Sequence, residues 1–257
     1  MSTSLHICKI GGKMLQDDQQ QAEALAYFQQ IDGPKILVHG GGPKANELIK
    51  QLQLQPQMHQ GRRITDGPTL EVVVMVYAGL LNTSLVGNLQ QLGCNAIGLS
   101  GADGNLLLAT TRPPQPIDFG YVGDIQQVNV QLLQQLLAIG LTPVCCAITH
   151  DGQGQLLNTN ADTIATQLAI ALAPHFDVSL HFCFEKPGVL QVPTDDQSVI
   201  ARLSPSSFEH YKQEGVIANG MLPKLHNAFS ALPHQLREIK IGNPTSIQEG
   251  YATTICA

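Results

Sequence analysis

The sequence predicts an α/β fold, a three-layer αβα sandwich on a mainly parallel open sheet, and three observations carry that expectation. Short apolar runs alternate with helix-like segments, the pattern of parallel strands joined by crossover helices. Many of the runs, among them "LHICKI" at 5–10, "KILVH" at 35–39 and "TPVCCAI" at 142–148, lack polar alternation, as strands do when helices cover both faces. Two early strands run straight into glycines, "ICKIGGK" and "ILVHGGGPK". Open α/β sheets bind their ligands at such places, beyond the carboxyl ends of the strands.

In chain order, the strand at 5–10 is followed by a helix over 18–31, the strand at 35–39 and a helix over 43–52. Pro43 suits the first turn of that second helix, where a missing N–H costs nothing and its φ is already helical. A long helical pattern spans 68–92, and "AIGL" at 96–99 then reads as a strand. "GYVGDIQQV" at 120–128 is hairpin-like, 129–139 helical, 142–148 a strand and 160–173 helical. "DVSLHF" at 177–182 opens a last group of strands and helices, interrupted by the polar, turn-rich "PTDDQSVIARLSPSSF" at 193–208. That change of composition predicts two lobes, residues 1–175 and 176–257, with the boundary near 174–178.

Composition narrows the function. Of the 257 residues, 43% are hydrophobic and 13% charged, with a net charge of −6. There is enough chain for a sizeable core, and neither a basic stripe for nucleic acid nor a polybasic segment for an anionic membrane. A small molecule is the expected partner. Polar residues break the apolar runs before the roughly 20 residues a membrane span needs, and "MSTSLHICKIGG" has no basic region leading an apolar one. A soluble, cytoplasmic chain is expected. The cysteines Cys8, Cys94, Cys145, Cys146, Cys183 and Cys256 form no CxxC pair, and reduced, mostly buried thiols are the expected role.

Glycine lets a ligand reach the backbone, and a helix beginning at the Gly40–Gly42 run would aim N–H groups at an anion. "GGGPKA" also satisfies the dinucleotide pattern GxGxxA at Gly40, Gly42 and Ala45. That pattern expects an acidic residue about 20 positions on; "MHQGR" stands there at 58–62, and no GxxxxGK[ST] loop is present. An anion cradle is favoured over a nicotinamide site and over plain turns.

Six motifs in fixed order sharpen this: "KIGGK" at 9–13, "HGGG" at 39–42, "GRRITD" at 61–66, "GLLNTSLVGNLQQLGCNAIGLSGADG" at 79–104, "NTNAD" at 158–162 and "NGMLPK" at 219–224. Together they resemble the amino acid kinase family, and within it the branch acting on N-acylated glutamate in arginine biosynthesis. The resemblance implies transfer of the γ-phosphoryl of ATP, with Mg²⁺ bridging the phosphates, to a side-chain carboxylate; it leaves the acyl group, acetyl or succinyl, open. Such transfer is mostly positioning and electrostatic stabilisation, so cations and N–H donors are needed rather than a covalent nucleophile. By resemblance, Lys9 and Lys224 flank the transferred group, Asp162 holds both ammonium groups, and Gly12, Gly41 and Gly42 donate backbone N–H. Side chains at Gly41 and Gly42 would, on this reading, fill the path of the phosphoryl group. Arg63 would grip the substrate α-carboxylate with its planar fork, Asn158 would complete the substrate site, and Glu185 and Gly188 of "FEKPGVL" at 184–190 would line the nucleotide side. A homodimer is implied. Arginine-inhibited members carry an extra N-terminal helix, so an arginine-insensitive enzyme is expected from the four residues that precede the first strand here.

Read alone, Lys9 lies within an apolar strand, where an unpaired lysine is costly. Asp162 would read as a helix cap, Lys224 as a surface lysine, Arg62 as a solvated neighbour of Arg63, and Asp103 as a turn residue that also fits a substrate-side loop. Glu185 stands where the family usually has aspartate, Lys186 where it has an apolar residue, and Thr83 where lysine is common. Pro223 precedes Lys224 and is tolerable only near a helix start. These departures keep a second class in view, a binding or regulatory homologue without catalysis.

Overall fold

An eight-stranded sheet organises the chain in the computed structural model, which describes residues 3–59, 61–217 and 221–257. The first third of the chain forms β1 (Ser4–Ile10), α1 (Asp18–Gln30), β2 (Lys35–His39), α2 (Gly42–Gln51), the short strands β3 (Gln57–His59) and β4 (Arg62–Ile64), α3 (Gly67–Val74) and α4 (Asn82–Gln91). The middle forms β5 (Ala96–Leu99), β6 (Leu107–Thr111), β7 (Gly123–Val128), α5 (Val130–Ala138), β8 (Thr142–Cys145), β9 (Ile148–His150), β10 (Leu156–Asn158) and α6 (Ala161–Leu172). The remainder forms β11 (Asp177–Cys183), β12 (Arg202–Leu203), α7 (Pro205–Gln213), α8 (Met221–Ala231), β13 (Glu238–Gly242), α9 (Pro244–Glu249) and β14 (Thr253–Ile255).

The large sheet has the order β12-β14-β13-β11-β1-β2-β8-β5. Its neighbours pair in parallel except β13 with β14. Strands β10, β9, β6 and β7 form a second sheet, and β3 and β4 an antiparallel pair. From β1 the chain goes to β2 on one side, while β11 pairs on the other. Beyond the carboxyl end of β1 the sheet order therefore diverges, and a crevice opens where ligands bind in such sheets.

Side chains alternate across a strand, and here both faces are dry. Leu5, Ile7, Ile36, Val38, Leu180, Phe182, Ile239 and Ile241 share a core with α2, α3, α6 and α8. Cys8, Ile10, Leu37, Val144 and Cys183 pack with α1, α4 and Ile247 of α9. This is the expected three-layer sandwich. Lys9 follows Leu5 and Ile7 in the two-residue period, so it faces the α6 and α8 side, and its position among them is a consequence of strand register. All six cysteines are free thiols, five of them buried.

The expected helix over 68–92 is observed as one continuous helix, Gly67–Gln91, capped by the Asp66 side chain accepting from Thr69 N at 2.9 Å. Its middle, Met75–Leu81, is π-helical. This helix is long and apolar enough to cross a membrane by length and composition, contrary to the expectation from interrupted apolar runs. Its apolar residues are used inside the fold: Leu70, Val72, Val73, Val76, Tyr77 and Leu81 lie in the first core, Leu85 and Leu89 in the second. The expected lobe boundary falls in the turn between α6 and β11, yet β11 hydrogen-bonds directly to β1, so a single sheet runs through both parts.

Candidate active site

The loops after β1, β2 and β11 surround a cavity of about 660 Å³, lined by Lys9, Gly12, Gly41, Gly42, Arg63, Asn158, Asp162, Glu185, Gly188 and Lys224 among others. Every site residue expected from the sequence touches this one space.

At its centre, Asp162 Oδ1 accepts from Lys9 Nζ at 2.8 Å and from Lys224 Nζ at 3.2 Å. The three residues are 7–8% exposed. Asp162 is not the helix cap. Asn160 caps α6, its side chain accepting from Asp162 N at 2.8 Å and Thr163 N at 3.2 Å, which frees the carboxylate of Asp162, the second residue of the helix, to face the lysines. Pro223 is the third residue of α8 and Lys224 the fourth, so the proline sits where a helix tolerates it. Asn219 and Gly220 of the "NGMLPK" motif lie outside the described residues. The Lys224 ammonium also rests 5.5 Å from the Phe182 ring centre and 5.7 Å from that of Phe184, a cation–π contact in a dry setting.

The electrostatics follow from burial. Burial raises the Asp162 carboxyl, but Lys224 and Lys9 outweigh it and hold the group well below the usual carboxylate range. A depressed carboxylate contributes stability above its unfolded pKa that is lost only as pH falls through the folded one, so Asp162 stays ionised near neutrality. Burial pushes the Lys224 ammonium down, Asp162 opposes the shift and Lys9 adds to it. An incoming anion would relieve that pressure. The alkaline limb of kcat/KM, which reports free enzyme, is therefore expected below the ordinary lysine range, and the limb of kcat above it; coincident limbs in a pH–rate profile would contradict this assignment.

The glycine loops interlock. A Cβ on Gly12 would lie 2.9 Å from Pro43 Cδ, and one on Gly41 would meet the Tyr77 ring at 2.8 Å as well as Leu81. The reason for glycine thus differs from the expected one. At Gly41 the forbidden volume is occupied by the long helix, not by the path of a phosphoryl group, while a Cβ on Gly42 would have only Arg63 Nη2 within 4 Å, at 3.9 Å. Gly41 caps α2, its carbonyl accepting from Ala45 N at 2.9 Å, so the α2 N-terminus opens onto the cavity with the partial positive charge of a helix start.

Arg63 is buried at the other end. Its Nη2 donates to Gly42 O at 3.1 Å and Asn46 Oδ1 at 2.6 Å. Its Nε and Nη1 are buried and have no hydrogen-bond partner among the described residues. Arg63 lines the cavity, and a buried guanidinium with unsatisfied donors is costly unless an anion lies beside it. Asn158 Nδ2 donates to Thr65 Oγ1 at 3.0 Å, which fixes the plane of its amide on the cavity wall. Arg62 is exposed, as expected of a solvated charge, and stands on the rim of the same cavity with Arg112, whose guanidinium pairs with Asp124. Asp103 is a turn residue, its Oδ2 accepting from Ser100 N at 2.6 Å and Ser100 Oγ at 2.8 Å. It lines a separate 240 Å³ pocket and not the main cavity.

On the far side, Glu185 Oε1 accepts from Lys13 Nζ at 2.9 Å, joining the loops after β1 and β11. Lys186, also on the cavity wall, pairs with Asp196 at 2.9 Å. A Cβ on Gly188 would stand 2.6 Å from Val199 and 2.7 Å from Thr253 Oγ1, so packing against β14 already demands glycine there. Val189, Val216 and Ile217 give this end an apolar wall. Among the described residues no three His, Cys, Asp or Glu side chains converge as a metal set. That donor set fits a Mg²⁺ carried by phosphates and water, the usual arrangement for this ion, rather than one held in a protein cage.

Sequence reasoning missed Tyr77, His39 and Lys13. Lys13 and His39 stood inside "KIGGK" and "HGGG" and had a visible signal; Tyr77 was hidden among apolar neighbours.

The model for the amino acid kinase family matches residues 4–243. The acetylglutamate kinase of Phocaeicola vulgatus is 47% identical over 255 residues, covering 99% of each chain. That of Parabacteroides distasonis is 47% identical over 251 residues, covering 98% of each. Among solved structures, smu.665 from Streptococcus mutans is similar with a TM-score of 0.81 at 25% identity, over 93% of this chain and 94% of the other.

Proposed function

The chain belongs to the amino acid kinase family and is a kinase, and from that premise we propose that it transfers the γ-phosphoryl of ATP to the side-chain carboxylate of N-acetyl-L-glutamate, giving N-acetyl-L-glutamyl 5-phosphate in arginine biosynthesis. One observation carries the reading. Two buried ammonium groups share a single carboxylate oxygen in the cavity, leaving an excess of one positive charge that is costly to bury unless an anion visits it. A phosphoryl group passing between two anions is such a visitor, and preorganised cations are what its transfer needs.

The roles follow from position. Arg63 and Asn158 hold the acylated amino acid in the lobe of residues 1–175, with its side-chain carboxylate directed at Lys9. ATP lies against Glu185, Gly188 and the apolar wall contributed mainly by residues 176–257. Lys9 and Lys224 neutralise charge on the phosphoryl and bridging oxygens, Asp162 holds them, and the Gly12, Gly41 and Gly42 amides face the oxygens. Mg²⁺, riding on the ATP phosphates, supplies further charge neutralisation when bound. A cytoplasmic homodimer is part of the reading: Met75 and Leu80 project from the long helix at 53% and 51% exposure, and β5 ends the large sheet.

A second reading changes only the acyl group. Arg62 and Arg112 on the cavity wall would suit an acyl chain ending in a carboxylate, as in N-succinyl-L-glutamate. Coupled ADP-release assays with N-acetyl-L-glutamate, N-succinyl-L-glutamate, L-glutamate and L-aspartate separate the cases. The acetyl compound is expected to give the highest kcat/KM; preference for the succinyl compound would support the second reading. Turnover of the free amino acids alone would overturn both, and no turnover of any would return the chain to the binding-protein class.

A further inference from the structure

The loop after β2 contains two consecutive peptides flanked by glycines, and such peptides flip at little cost because neither neighbour has a Cβ to resist. His39, fully buried at the end of β2, is placed to prevent this. Its Nδ1 lies 2.8 Å from the Gly40 carbonyl oxygen, and its Nε2 lies 3.0 Å from Asn82 Nδ2. The same Asn82 nitrogen donates to Val144 O at 2.9 Å.

These contacts allow one protonation pattern. A carbonyl only accepts, so Nδ1 carries the proton and donates to Gly40. The Asn82 amide nitrogen has two hydrogens, one for Val144 O and one for Nε2, so Nε2 is the acceptor. Turning the amide over would set its oxygen against the Val144 oxygen. Burial keeps the ring neutral, pushing it down to about 4 against the opposing pull of the Gly40 bond. In a trans peptide C=O and N–H point in opposite directions. Holding the Gly40 carbonyl on the imidazole therefore turns the Gly41 N–H away from the ring, toward the cavity, where Gly41 N lies 3.7 Å from the Cβ position of Gly12.

The π-helical segment makes this arrangement reachable. Widening of the helix over Met75–Leu81 brings Tyr77 and Leu81 onto Gly41 while the next residue, Asn82, reaches His39. π-Bulges within α-helices are frequent at functional sites. Gly98 completes the setting, because a Cβ there would collide with Asn82 Oδ1.

We propose that His39 and Asn82 are positioning residues that lock the Gly40–Gly41 peptide with its N–H aimed at the transferring phosphoryl group. The inference rests on the kinase reading above and adds to it how one of its backbone donors is oriented. A donor that acts on charge developing in the transition state affects kcat, not ground-state binding.

The test compares three variants with wild type under the acceptor that wild type uses. His39→Leu and Asn82→Leu are each expected to lower kcat about 10- to 100-fold, with KM for both substrates nearly unchanged. His39→Asn, whose amide nitrogen occupies the place of Nδ1, is expected to retain most of the turnover. Unchanged kcat in both leucine variants, a loss confined to KM, or His39→Asn as impaired as His39→Leu would overturn the proposal. Should a leucine variant fail to fold, the ¹⁵N spectrum of His39 in wild type and the His39→Asn kinetics still decide: an Nε2–H tautomer contradicts the lock. Absence of wild-type turnover would count against the kinase reading, whereas wild-type turnover with unaffected variants would count against the lock alone.

Discussion

Lys9→Met is expected to reduce kcat by about 10³-fold or more while the protein remains folded and binds both substrates. The pairing of a large kinetic effect with a small structural one comes from charge balance. Asp162 Oδ1 accepts from two lysines at 2.8 and 3.2 Å, so deleting one ammonium leaves a matched Lys224–Asp162 pair and not an orphaned carboxylate. Breaking a buried pair is damaging chiefly when it strands a charge, and here Asp162 keeps Lys224 as its partner. Methionine fills the volume of the lysine stem among Leu5, Ile7 and Phe182 on that face of the sheet. The expected melting temperature is equal to or above that of wild type. A binding protein that needed the lysine only for folding would show the reverse, a lower melting temperature with no catalytic loss to measure.

Arg63→Ala is expected to raise KM for the acylated amino acid by about 10²- to 10³-fold, with a much smaller effect on KM for ATP. Charge-assisted hydrogen bonds to a carboxylate are the strong ones, and Arg63 has two buried donors, Nε and Nη1, without partners among the described residues. Because Nη2 also ties Gly42 O and Asn46 Oδ1 to the substrate end, some fall in kcat should accompany the change. Arg63→Lys separates fork from charge. It keeps the cation and loses the planar set of several donors, and is expected to recover only a small part of the affinity in steady-state kinetics. Equal KM in all three proteins would remove Arg63 from the substrate site.

Much of this was legible in the sequence because strands and helices are read from periods. The unbroken apolar runs at β1, β2 and β8 announced a sheet buried on both sides, and the strand-end glycines located the crevice. What stayed hidden depended on partners far away in sequence. The helix over Gly67–Gln91 was visible, but nothing local marked Met75–Leu81 as π-helical; that geometry goes with Tyr77 and Leu81 packing beside Gly41 and Asn82 reaching His39. Read alone, Asp162 of "NTNAD" looked like the helix cap, and only helix register decided that Asn160 caps while Asp162 faces the lysines. The volume beside Gly41 is filled by a ring more than 30 positions away, so a glycine that looked like room for a ligand is room for Tyr77. The short strands β3, β4, β9 and β10 are too brief and too mixed to carry a period of their own.

Transfer of the γ-phosphoryl of ATP to a side-chain carboxylate, with release of ADP, is tested most directly by trapping the product. Acyl phosphates react with hydroxylamine to give hydroxamates, whereas phosphate esters do not. Purified protein incubated with ATP, Mg²⁺, N-acetyl-L-glutamate and hydroxylamine is expected to form the γ-hydroxamate in step with ADP, and Lys9→Met to form neither at an appreciable rate. ADP release without hydroxamate, or hydroxamate formed equally well by Lys9→Met, would contradict the account.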